Sequence, residues 1–219
     1  MITVTAFQWV PPFAQGVVRD LRVRWALEEA GTPYAERLLA FGDGETPEYR
    51  ALQPWGQVPV IDDDGFSMFE SGAIVLRIAE GCEALCPPDA NGRDRMIQWV
   101  FAAINSVEPY IGNLVDIDLF HPDEEWARLR RPGAEAFVRM KLASLARRLK
   151  DREYLEDRFT AGDLMMATVL LILRDTDIVT SDPVLGPYLA RCIDRPAYRK
   201  ALADQMAPFA QHEPQMQPA

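Results

Sequence analysis

Residues 52–80 read LQPWGQVPVIDDDGFSMFESGAIVLRIAE, and the fold turns on how this stretch divides. Two short apolar runs, 58–61 and 66–69, flank an Asp-Asp-Asp-Gly segment. An Asp-Gly pair between apolar runs predicts a β-hairpin, because the favoured tight turns need positive φ at their central residues. Directly afterwards, 71–80 sets Ile74, Val75 and Ile78 on one side of a helix, with Ser71 as a favourable N-cap type. Pro59 has no amide proton and sits badly inside a central strand. At the start of one it can take the cis form and turn the chain. The Val58 N–H and C=O would then point outward, where they can pair with an extended peptide.

Working upstream, 2–7 alternates apolar and polar residues as a strand does. The segment 17–30, VVRDLRVRWALEEA, has helical spacing and stops at Gly31. A second strand is expected over 34–41 and a helical turn over 47–52. The order is β-α-β followed by β-β-α, and the first unit implies parallel strands with a right-handed crossover. Downstream, GCEALCPPDAN at 81–91 breaks both periodicities and reads as a linker. Strand signals then disappear. Helices are expected over 92–118, 132–150, 160–175, 182–193 and 195–207, with 122–131 interrupted by Pro132. The fold class is therefore α/β plus all-α: residues 1–80 form the first domain, 92–210 a helical bundle, and 211–219 a frayed tail.

Bulk properties narrow the function. The chain has 219 residues, 48% of them hydrophobic, which is enough for a sizeable core. A net charge of −10 argues against nucleic acid and against an anionic membrane surface as partners. Cys82, Cys86 and Cys192 are odd in number and lack C-x-x-C spacing, so a reducing, cytoplasmic setting is expected. With only His121 and His212 as imidazoles and no cysteines at ligand spacing, no metal site is expected. No secretory signal is visible, and the apolar run LMMATVLLIL at 164–173 is too short to span a bilayer.

Glu70 and Ser71 stand where a strand ends and a helix begins. The first-turn amides of a helix attract an anion. A carboxylate there can take bonds from the Ser71 hydroxyl and backbone N–H, and Glu70 beside it can hold an ammonium group. One small zwitterion satisfies both. Taken singly, the Val-Pro turn and the Glu-Ser pair also suit an ordinary edge-strand turn and an ordinary capped helix.

Together, 52–80 resembles the thioredoxin-like domain of the glutathione transferase family. FTAGDLMMATVLL at 159–171 is similar to that family's capping box and central helix, with Thr160 as cap and Asp163 returning the bond. The resemblance implies a cis Pro59, pairing of Val58 with the cysteinyl backbone of glutathione, binding of the γ-glutamyl end by Glu70 and Ser71, and assistance from Gln57. It also implies glutathione as co-substrate, a small hydrophobic electrophile and a homodimer.

Transferases of this family lower the glutathione thiol pKa with a nearby donor, usually tyrosine, serine or cysteine. None of these occurs between Phe7 and Ala30. Three replacements are open: Arg19 through its charge, Gln15 or the amides of 16–18 through hydrogen bonds, and Trp9 through stacking or its indole N–H. The alternative for Arg19 is a solvated helix face on which Arg19 and Arg22 flank Asp20. The electrophile pocket is expected between the domains, with Phe13, Phe101, Asn105 and Tyr110 in its wall, Tyr110 exposed at a kink after Pro109, and Trp9, Trp99, Met165 and Met166 as further contributors. A non-catalytic glutathione-binding or protein-interaction module on the same fold is the rival reading. Glutathione-dependent reduction ranks last, since no cysteine lies near the first helix.

Overall fold

The computed structural model describes residues 1–214, so residues 215–219 of the expected tail lie outside the described residues. The chain divides into two compact units. One comprises Met1–Cys82 together with the described residues from Pro196 onward, and the other comprises Glu83–Arg195.

The first unit is built on β1 (Ile2–Phe7), α1 (Asp20–Glu29), β2 (Tyr34–Leu39), α2 (Pro47–Arg50), β3 (Val60–Asp63), β4 (Phe66–Phe69) and α3 (Ser71–Glu80). The sheet order is β2-β1-β3-β4. β1 and β2 run parallel from Ile2↔Tyr34 to Phe7↔Leu39, while β3 is antiparallel to both β1 and β4. This is the β-α-β, β-β-α order of a thioredoxin-like domain. The hairpin turn has φ of 51° at Asp64 and 91° at Gly65, as the Asp-Gly signal requires.

Strand alternation sends successive side chains to opposite faces. Val4 and Ile61 bury with Val23 and Leu27 of α1 and Ile74 of α3. Val60 and Leu39 bury with Tyr49 of α2 and Val58. β3 thus begins two residues later than expected, and Val58 and Pro59 lie ahead of it. The closing helix of this unit, α9 (Pro196–Gln211), packs against α1. There Trp25 meets Tyr198 edge-on at 4.9 Å. α9 runs on through Pro208, beyond the expected stop at 207, and Pro208 is buried.

The second unit holds α4 (Ala90–Phe101), a π-helical turn (Ala102–Val107), α5 (Glu108–Phe120), α6 (Glu125–Leu149), α7 (Ala161–Leu170) and α8 (Leu185–Ile193). The single helix expected over 92–118 is thus broken by the π turn. Pro132 does not interrupt α6. An interior proline costs about 3 kcal/mol, and the buried stripe Ala127, Ala134, Val138, Leu142, Leu145 and Leu149 offsets it. Every residue of α7 is buried, and Thr160 and Asp163 form the expected capping box. No helix among the described residues is long and apolar enough to cross a membrane.

Candidate functional site

The Val58–Pro59 peptide bond is cis. Val58 is buried, and strand pairing begins only at Val60↔Phe69, so Val58 stands outside the ladder. The loop ahead of it is held from several sides. The Tyr49 hydroxyl donates to the Gln57 carbonyl at 2.7 Å, while Gln57 itself is exposed. Burial pushes the Tyr49 phenol up to about 12, so it remains a donor at neutral pH. Arg50 donates to the Pro54 carbonyl at 2.7 Å, and the Trp55 amide donates to Gln53 Oε1 at 2.6 Å. Gly44 and Gly56 approach so closely that a Cβ on either would lie 2.6 Å from the other's carbonyl oxygen.

Glu70 joins β4 to α3 with φ of 72° and ψ of 106°. A non-glycine residue in this region costs about 1–3 kcal/mol. Its side chain makes no capping bond to α3. The first helical turn thus opens without a side-chain cap, and its amides keep the partial positive charge of a helix start. Glu70 is exposed and Ser71 is buried.

Behind Ser71 lies α1, and here the solvated-face reading is corrected for two residues. Arg22 is 3% exposed and Asp20 1% exposed. Arg22 Nη1 donates to Ser71 Oγ at 3.3 Å. Asp20 accepts from Arg24 Nε at 2.7 Å and from Gln205 Nε2 at 2.8 Å, and Arg24 also pairs with Glu36. Burial pulls the Arg24 guanidinium down, but Asp20 and Glu36 outweigh it and hold the group above its ordinary value. The physical reason for the correction is that α1 is covered by α3 and by α9, which arrives from the far end of the sequence. The four-residue spacing of Asp20 and Arg24 was the only local signal of this pairing.

Arg19 remains exposed, at the N-cap of α1. Gln15 Nε2 donates to the Val10 carbonyl at 3.1 Å and thereby ties the loop that precedes α1. Gly16 has φ of 78°, which favours glycine. Trp9 is half-buried, and Phe13 is 44% exposed.

In the second unit, Phe101 ends α4 and is 50% exposed, and Asn105 is exposed on the π turn. Tyr110 does not stand free at a kink. It is half-buried on α5, 6.0 Å from the Phe137 ring, with Lys141 Nζ 4.6 Å from its centroid. Trp99 donates its indole N–H to Glu156 at 2.8 Å. Met165 and Met166 are core residues of α7, buried by the packing that encloses that helix. Sequence reasoning missed Tyr49 and Arg22, the two side chains that support the Gln57–Pro59 turn and Ser71.

Comparison with known proteins bears on the fold. Residues 5–80 match the glutathione S-transferase N-terminal domain. A glutathione S-transferase-like protein, gedE, of Aspergillus terreus is 31% identical over 125 residues, 54% of this chain and 55% of its own length. Elongation factor 1-gamma of Homo sapiens is 28% identical over 167 residues, 73% of this chain and 37% of its own. The chain therefore spans about half the length of one curated relative and little more than a third of the other. A crystal structure of a Burkholderia graminis glutathione transferase, with two glutathione molecules bound per subunit, superposes with a TM-score of 0.79 at 27% identity. That superposition covers 92% of this chain and 87% of the other. Residues 5–80 are a glutathione S-transferase N-terminal domain, and the chain as a whole is similar in fold to glutathione transferases.

Proposed function

We propose that this protein binds glutathione at the start of α3 and joins its thiolate to a small apolar electrophile. The observation that carries the reading is Glu70: an exposed acid held at positive φ directly before an uncapped helix start whose first residue is Ser71. The γ-glutamyl carboxylate would accept from the Ser71 hydroxyl and first-turn amides, and Glu70 would take the ammonium group. The Val58 backbone, ahead of the β3 ladder beside Pro59, would pair with the cysteinyl residue, with Gln57 at the rim. The thiolate sulfur would then attack an electrophilic carbon and form a thioether, as the bond to a leaving group breaks and that group departs with the electron pair or, in an addition, as the carbon's π bond opens and takes up a proton from solvent. Arg19, Gln15, Trp9 and the amides of 16–18 are the groups available to hold the thiolate. We place the protein in the cytoplasm as a homodimer, in line with its acidic charge and family.

A second reading is a non-catalytic glutathione-binding or protein-interaction module on the same fold. It is favoured by the absence of tyrosine, serine and cysteine between Phe7 and Ala30 and by a relative that bears the name of an elongation factor.

The test is a calorimetric titration with reduced glutathione from neutral to mildly alkaline pH, in buffers of different ionisation enthalpy. Binding with proton release, lost in Ser71→Ala, is the outcome expected of a transferase. Binding without proton release favours the module. Absence of binding overturns the transferase reading and leaves the protein-interaction module.

A further inference from the structure

Arg22 is buried beneath the residue proposed to grip the ligand carboxylate, and its Nη1 donates to Ser71 Oγ at 3.3 Å. A guanidinium carries N–H donors and no acceptor. The Ser71 oxygen is therefore the acceptor in this bond, and the Ser71 O–H must donate elsewhere. At 3.3 Å the bond is long for a charge-assisted one. Its main consequence is directional: it settles which way the hydroxyl proton is available.

We propose that Arg22 is a positioning residue of the glutathione site. It orients the Ser71 hydroxyl as a donor to the γ-glutamyl carboxylate and sets a positive charge behind it. The inference rests on the reading of Ser71 given above. It adds that selectivity for a carboxylate over a neutral group at this end of the ligand comes from α1 as well as from the α3 start.

The experiment is a double-mutant cycle by calorimetric titration with wild type, Arg22→Met, Ser71→Ala and the double variant. Two probes are used: reduced glutathione, and glutathione amidated at the γ-glutamyl α-carboxylate. Arg22→Met is expected to weaken glutathione binding about tenfold to a hundredfold when Ser71 is present. In the Ser71→Ala background the loss should fall to about threefold or less, and the amide should bind almost equally to wild type and Arg22→Met. Equal losses in both backgrounds, or equal losses for both probes, would overturn the proposal while leaving glutathione binding intact. A wild type that binds no glutathione would overturn the underlying reading and this inference with it. If Arg22→Met does not fold, Arg22→Lys, which keeps the charge and a donor, completes the same cycle; its loss should likewise require Ser71.

Discussion

The Tyr49 hydroxyl donates to the Gln57 carbonyl at 2.7 Å, so a residue of α2 fixes the backbone immediately ahead of Val58 and Pro59. Tyr49 is 1% exposed and anchored among Leu39, Val58 and Val60. Tyr49→Phe keeps that packing and removes the bond. The expected cost is about 1 kcal/mol in urea unfolding, accompanied by weaker glutathione binding. Full affinity in a destabilised Tyr49→Phe protein would show that the turn holds its shape without this bond.

Glu70 combines positive φ with a proposed ligand role, so stability and binding should move in opposite directions there. Glu70→Gly relieves the backbone penalty and is expected to stabilise the fold by about 1 kcal/mol, while weakening glutathione binding. Thermal melts and titrations on the same preparation check both halves. A variant that loses stability would mean that the Glu70 side chain supports the fold.

Asp163 predicts a pH dependence. Burial raises its carboxyl to about 6, against the bonds it accepts from the Leu155 and Thr160 amides and the Tyr188 hydroxyl. An unfolded aspartate titrates near about 3.9. Between these values the folded chain holds a proton that the unfolded chain has released. This contribution to stability is therefore present at the acid end and lost as pH rises through about 6, a change of about 3 kcal/mol. Asp163→Asn lacks it. The stability gap between wild type and variant should narrow by that amount from the acid end to neutrality, measured by urea unfolding at several pH values. A constant gap would show that Asp163 titrates like an unfolded aspartate.

Gln205 ties α9 to the start of α1, donating to the Val18 carbonyl at 3.1 Å and to Asp20 at 2.8 Å. It is 1% exposed. Gln205→Ala should cost about 2 kcal/mol, since one of the bonds is to a charged group. Gln205→Glu should cost more, because a second buried carboxylate then faces Asp20. Hydrogen exchange in α9 and in residues 16–22 should rise in both variants. Unchanged exchange in 16–22 would mean that the loop before α1 is held without α9.

The sequence by itself determined the parts of this protein whose physics is local. Asp64-Gly65 specifies a tight hairpin because its turn needs positive φ. Thr160 and Asp163 specify a helix start through reciprocal short-range bonds. The period change after residue 80 separates a sheet-bearing stretch from helices. The pattern from Gln57 to Ser71 made the candidate grip legible, because its residues lie on one hairpin and the helix that follows it. Tertiary structure decided the rest. Arg22 and Asp20 look like a solvated helix face until α3 and α9 cover them, and the partners Ser71 and Gln205 are remote in sequence. Pro132 and Pro208 look like helix stops, because local rules record the lost hydrogen bond but not the burial that offsets it. The same holds for Tyr49, whose phenol meets Gln57 only because the chain turns back between them. Burial is set by which elements meet, and a window of neighbouring residues does not contain that information.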